Sequence, residues 1–181
     1  MTANTVRFTS FPRTSPPPQF TAELVEVFRA HEAQIGTKFI EDGLKSDEVL
    51  HVLRDDLVSL GFEVEAGKRS DQKILRPVFY GENGIPTLQY QIDAFNAGWA
   101  CGLEVEAGRA WKGNAVYRDL ITACVMIQIE HIVLAVPNAY RYSMKGRRSV
   151  SRDYETAVTL AEALYGHSRL RLPYDLVIVG Y

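Results

Sequence analysis

The stretch whose reading decides the fold is residues 87–107, TLQYQIDAFNAGWACGLEVEA. Side chains alternate across a β-strand, so residues two apart share a face. In Thr87–Phe95, the side chains of Leu88, Tyr90, Ile92 and Ala94 point one way and those of Gln89, Gln91 and Asp93 the other. In Cys101–Ala107, Cys101, Leu103, Val105 and Ala107 point one way, and Gly102, Glu104 and Glu106 the other. Joined by a turn at Asn96, Ala97 and Gly98, the two segments predict a hairpin with one core face and an opposite face that collects Asp93, Glu104 and Glu106 beside Gln89 and Gln91. Register decides whether Asp93 joins the glutamates. A two- or four-residue loop pairs Asp93 with Gly102 or Glu104 and the acids converge, whereas a three-residue loop turns Asp93 away unless a bulge restores it. The apolar alternation selects the converging register, because the other would bury carboxylates with Leu103 and Val105.

Three carboxylates within a few ångströms raise one another's pKa. A divalent ion such as Mg²⁺ or Mn²⁺ relieves that repulsion, and Mg²⁺ takes oxygen ligands from one or two carboxylates together with waters and phosphates. The competing reading is a solvent-facing strand whose acids pair with Arg109, Lys112 or Lys73. Spacing alone leaves both open.

Outward from the hairpin, Thr21–Ile35 has Leu24, Val27, Phe28 and Ile35 at helical spacing. Ser46 is placed to cap a second helix, carrying Leu50, Leu53, Leu57 and Leu60 and stopping at Gly61. Phe62–Ala66 and Ile74–Tyr80 read as strands, the second ending in a Gly-Glu-Asn-Gly turn. After the hairpin, Asn114 is placed to cap a helix reaching about Ile127. Ile132–Val136 is a continuous apolar run, the pattern of a strand covered on both faces. Ser151–Tyr165 predicts a last helix and Tyr174–Tyr181 a last strand. The order predicts the α/β class, a mixed central sheet flanked by helices.

The chain has 181 residues, 46% apolar and 23% charged, which fits one globular domain. Residues 1–20 read as a Pro-rich, partly extended N-terminal arm, with 21–181 as a single domain. The first residues lack the apolar core of a secretory signal, and Pro12 with Pro16–Pro18 argue against the amphipathic helix of a transit peptide. No apolar run is long enough to span a bilayer. Cys101 and Cys124 make neither a disulfide framework nor a zinc site, and a reducing cytoplasmic location is expected. His31, His51, His131 and His167 are scattered without metal-ligand spacing, and no Gly-rich phosphate loop is present.

Net charge is −2, so bulk charge does not advertise nucleic acid, but its distribution is uneven. Between Thr21 and Ala66 eleven acids face four bases, whereas His131–Arg152 has five bases and no acid. Such asymmetry produces a local positive surface on a near-neutral chain. Arg141, Lys145, Arg147, Arg148 and Arg152, near Tyr140 and Tyr142, fit either a DNA-backbone strip or a solvated loop. Arg109, Lys112 and Arg118 follow the hairpin acids and fit either flanking phosphates or salt bridges to those acids.

Ile92-Asp93, ten further residues, then Glu104-Val105-Glu106 resembles the PD-X(n)-(D/E)-X-K motif of the restriction-endonuclease-like nuclease superfamily. The predicted order over residues 46–136 resembles that family's αβββαβ core. Ile92 stands at the motif's Pro and Glu106 at its Lys, the latter resembling the BamHI and BglII-like variant. The resemblance implies Asp93 and Glu104 as ligands of Mg²⁺ or Mn²⁺, and Asp93, Glu104 and Glu106 as catalytic residues, Glu106 orienting or deprotonating the attacking water. A fourth acid from the helix before the sheet would be Glu48, which also reads as an ordinary first-turn helix glutamate. The implied activity is a DNA endonuclease, in its specific form a type II restriction enzyme acting as a homodimer on a palindrome. The alternative is a non-catalytic DNA-binding or protein-interaction module derived from a nuclease fold. A glycosidase fits worst, because Glu104 and Glu106 share one strand face and cannot flank a sugar bond.

Overall fold

The computed structural model describes residues 5–37, 43–107, 114–144 and 147–181. Its centre is a six-stranded mixed sheet. In chain order the strands are β1 (Arg7–Phe11), β2 (Phe62–Val64), β5 (Ala94–Asn96), β6 (Cys101–Val105), β7 (His131–Val136) and β10 (Asp175–Gly180), arranged β1-β10-β7-β6-β5-β2. β6, β7 and β10 run parallel, and β1, β2 and β5 pair antiparallel with their neighbours. Two ribbons stand apart from this sheet, β3 (Ile74–Tyr80) with β4 (Pro86–Ile92) and β8 (Tyr140–Met144) with β9 (Arg147–Ser151).

Helices cover both faces. On one side α1 (Thr21–Ala30), α2 (Glu32–Ile35) and α3 (Ser46–Ser59) pack Leu24, Phe28, Leu53 and Leu57 against Leu103, Val105, Val133 and Val177. On the other, α4 (Ala115–Ala123) and α5 (Asp153–Gly166) pack Val116, Leu120, Ala157 and Ala161 against Ile132, Leu134, Leu176 and Ile178. A three-layer α/β/α domain results, and β7 is buried on both faces, as its unbroken apolar run requires. Counting central-sheet strands only, with the β3–β4 ribbon inserted between β2 and β5, α3–β2–β5–β6–α4–β7 has the order helix, three strands, helix, strand, and α4 is the crossover that makes β6 and β7 parallel.

Several elements differ from the sequence expectation. The segment 87–95 is not one strand: it breaks at Asp93, with β4 pairing to β3 and β5 to β6. Ile92 belongs to the α4/α5 core and Ala94 to the α1/α3 core, so the chain changes faces at the break. The face carrying Glu104 is therefore a second core rather than the open side of a hairpin. The N-terminal arm contributes an edge strand, β1, which packs Phe11 into the α5 side. The first helix stops at Ala30, with His31 as its C-cap before α2. Lys45, not Ser46, occupies the N-cap of α3, because the Glu48 carboxylate accepts the Lys45 N–H at 2.7 Å. Asn114 holds the N-cap of α4 in a left-handed conformation without a side-chain cap bond, and the helix ends at Ala123. The last helix begins at Asp153, since 147–151 form β9 instead.

Gly102 on β6 faces the second core, where a Cβ would meet the Cδ1 atoms of Ile92, Ile132 and Ile129. Its missing side chain lets Ile92 lie over the sheet and thereby sets where the chain turns at Asp93. Gly102→Val is expected to cost about 1–3 kcal/mol through overpacking, read as a lowered urea midpoint with unchanged slope. A midpoint equal to wild type would mean that Ile92 is not pinned by this contact.

Candidate active site: a buried carboxylate cluster

Four residues separate Asn96 from its pairing partner Cys101, and the ladder runs Asn96↔Cys101, Phe95↔Gly102, Ala94↔Leu103. Extended by one step, that register sets Asp93 opposite Glu104. The chain breaks there and the Asp93 side chain takes over the ladder's role: its Oδ2 accepts the Val105 N–H at 2.9 Å. Its backbone carbonyl accepts the Glu65 N–H at 2.8 Å, which ties the break to the end of β2. Asp93 and Glu104 come within hydrogen-bonding reach of each other. Just past β6, the Glu106 N–H donates to Ala135 O at 2.9 Å, holding Glu106 against β7.

A fourth acid joins them from the helix after the hairpin rather than the one before. Val116, Asp119, Leu120 and Ala123 form the buried stripe of α4, and Asp119 is 6% exposed. Asp119 Oδ1 accepts from the Arg118 guanidinium at 2.8 and 2.9 Å, whereas Oδ2 is buried with no donor among the described residues. The helical spacing 116, 119, 120, 123 was the signal that could have found it. Glu48 is exposed and bonded to its own helix start, on the opposite face of the sheet from Glu104. Glu65, also missed, is buried at the edge of the cluster, where Lys73 and Gln91 both donate to it.

Burial dominates the electrostatics. Asp93 is pushed up to about 6, first by desolvation, against which the Val105 N–H works. Glu104 is raised well above the carboxylate range, by desolvation and then by Asp93, Asp119 and Glu106. Glu106 is pushed up to about 8 by desolvation and then by the Asp119 carboxylate beside it. Arg118 is held more firmly protonated than usual by its hydrogen bond to Asp119, and it is the one cation among the described residues lining the cleft here. That cleft, about 350 Å³, is bounded by Tyr90, Gln91, Asp93, Glu104, Arg118 and Thr122.

As placed, the acids partner one another, Val105 and Arg118; among the described residues no three Asp, Glu, His or Cys side chains stand at metal-ligand geometry. The donor set is nevertheless oxygen-only, and Asp119 Oδ2 awaits a partner, which suits a hard divalent cation. Of the basic candidates, Arg118 reaches the cleft and Arg148 lies exposed on β9. Arg109, Lys112, Lys145 and the Arg147 side chain lie outside the described residues. No described helix is long and apolar enough to cross a membrane.

Searches for a matching family model and for a similar curated protein found none. Among solved structures, restriction endonuclease BglII complexed with a DNA 16-mer is similar with TM-score 0.49 and 10% identity, over 97% of this chain and 75% of that one.

The raised acids make stability pH-dependent in a definite direction. Between the ordinary glutamate value of 4.5 and about 8, the folded chain keeps a proton on Glu106 that the unfolded chain has released. Asp93 acts in the same sense between 3.8 and about 6. The contribution is complete below these ordinary values and lost as pH rises through the folded ones. Urea unfolding in EDTA is expected to give falling stability across this window, with a shallower fall in Glu106→Gln. Stability rising with pH there would contradict the burial of the cluster.

Proposed function

We propose that this chain is a metal-dependent endonuclease of the restriction-endonuclease-like type, hydrolysing DNA phosphodiester bonds, and in its specific form a homodimeric type II restriction enzyme. The observation that carries the reading is the cluster of Asp93, Glu104, Glu106 and Asp119, four acids drawn together beside a cleft lined by Arg118. Removing carboxylates from water to set them against one another is destabilising, and structural economy gives no reason for it. A bound cation does. Mg²⁺ or Mn²⁺ held by Asp93 and Glu104 would polarise the scissile phosphate and acidify a bound water.

The chain's own groups divide the remaining work. Asp93 and Glu104, once deprotonated, would hold the ion, and the Val105 N–H orients Asp93. Glu106, pushed up to about 8, holds its proton near neutral pH in the metal-free cluster; with the ion in place it would release that proton and its carboxylate would take one from the attacking water. Arg118 stands at the cleft with its guanidinium on Asp119, where a DNA phosphate would compete for its donors. Arg148 on β9, with Arg147 next to it in sequence, would add sequence-independent backbone contacts, and Arg109 and Lys112 would flank the acids.

Supercoiled plasmid DNA incubated with the chain and Mg²⁺ or Mn²⁺ is expected to be nicked and linearised, with no product in EDTA and none from Asp93→Asn. Glu106→Ala is expected to lower the cleavage rate roughly 10²–10⁴-fold while DNA affinity without metal changes little. Cleavage that survives EDTA or Asp93→Asn would refute the assignment. DNA binding by wild type with no cleavage under any divalent ion would instead identify a non-catalytic module.

A further inference from the structure

β4 leads directly into Asp93, so the ribbon it forms with β3 stands on the carboxylate cluster, and Tyr90 and Gln91 line the cleft beside Asp93 and Glu104. The two faces of the ribbon differ. Ile74, Tyr90 and Ile92 share one face and pack into the core under α4 and α5. Gln89 and Gln91 alternate with them along β4 and are exposed. Leu75, the cross-strand partner of Gln91, is 43% exposed on the same face. Gln91 Nε2 donates to Glu65 Oε2 at 3.0 Å, and Lys73 donates to the other oxygen of that carboxylate, so the amide is held at the cleft by one end. Its Oε1 and the whole Gln89 amide have no hydrogen-bond partner among the described residues. Residues 77–92 carry one charge, Glu82.

We propose that this ribbon reads base edges in the major groove of the DNA whose backbone the cluster would cleave, with Gln89 and Gln91 as the specificity-determining side chains; the proposal rests on duplex DNA as the substrate. The charge pattern sets the ribbon apart from a backbone contact. Gripping phosphates needs cations, which residues 77–92 lack, whereas base edges are read by neutral donors and acceptors. The major groove admits a two-stranded ribbon, and a side-chain amide meets adenine N6 and N7 with an acceptor and a donor at once. The minor groove shows adenine only as an acceptor, so the same amide has half a partner there. Leu75 beside Gln91 offers the apolar contact that a thymine methyl takes. The spacing also matches. Side chains two apart on a strand are about 7 Å apart, close to two base-pair steps of about 3.4 Å. Measured along β4 from Asp93, Gln91 and Gln89 lie roughly 7 and 13 Å away, which sets their bases about two and four base pairs from the cut.

Selection of randomised duplexes by the full chain, in EDTA and again in Ca²⁺, tests this by binding alone. The expected consensus holds two adenines separated by one base pair. Gln89→Ala is expected to lose the preference at one of them and Gln91→Ala at the other, each by roughly 5- to 150-fold. Affinity for random duplex and its salt dependence should stay at the wild-type values, because neither side chain meets a phosphate. Replacing the adenine assigned to Gln89 by 7-deazaadenine, which keeps the base pair and removes N7, is expected to weaken wild type and leave Gln89→Ala unaffected. Gln89 is exposed and hydrogen-bonds nothing among the described residues, so its substitution leaves the fold alone. Asp93→Asn, expected to abolish cleavage, should keep the consensus. A consensus that depends on both glutamines, from a chain that cleaves with no divalent ion, would support the ribbon's role and refute the nuclease reading alone. Cleavage or binding without base preference, a consensus unchanged in both glutamine variants, or no binding to duplex DNA would overturn the proposal.

Discussion

Asp93 occupies the point where one strand direction serves two cores. Ile92 must enter the layer under α4 and α5, and Ala94 the layer under α1 and α3, so the backbone between them cannot keep a regular pleat. A break in a sheet leaves ladder groups without partners, and buried ladder groups are costly to leave unpaired. Asp93 resolves this by accepting the Val105 N–H with its side chain and the Glu65 N–H with its carbonyl. The same hydrogen bond that repairs the sheet aims the carboxylate at Glu104. Fold and site therefore share one constraint, with Gly102 giving Ile92 the room that the change of face requires.

From that point the electrostatics follow. β6 carries Glu104 into a covered layer, and α4 brings Asp119 over it, so desolvation and mutual repulsion act together and shift Asp93, Glu104 and Glu106 in one direction. Arg118 makes both its short contacts to Asp119 Oδ1, and its charge opposes the upward shifts of Glu104 and Glu106 without cancelling them. The rest of the sheet edge is ordinary by contrast. Glu65 has Lys73 and Gln91, and Glu63 has Arg76, whose guanidinium lies 3.9 Å over the Phe95 ring. Glu63 and Glu65 each meet a cation, whereas Asp93, Glu104 and Glu106 have no short contact to one among the described residues.

Much of this was legible in the sequence because it depends on local period. The apolar runs of β7 and β10 and the stripe of α3 follow from local period, and the nearness of Asp93 to Glu104 from a four-residue loop, whereas the alternation expected across 87–95 fails at Asp93. The burial of the acidic face was not legible: Glu104 and Glu106 alternate with Leu103 and Val105 as they would in a strand open to water, and only α4 folding back decides otherwise. β1 was hidden because a Pro-rich segment suggests an arm, although pairing to β10 is available to residues ahead of the prolines. β8 and β9 were hidden for a related reason, since their alternation is of Tyr, Arg and Ser rather than apolar against polar. Asp119 is marked only by the inward spacing 116, 119, 120 and 123 of α4, a helical period that the strand alternation of the other acids does not share.

The proposed divalent ion would displace the protons that Glu104 and Glu106 hold in the metal-free cluster. Calorimetric titration of Mn²⁺ into the chain at about pH 7, repeated in buffers of different ionisation enthalpy, measures binding and proton release together. Because Glu106 is pushed up to about 8 and Glu104 is raised well above its ordinary range, binding should expel protons, and Asp93→Asn should abolish it. No binding, or binding that releases no proton and is unchanged by Asp93→Asn, would contradict the account.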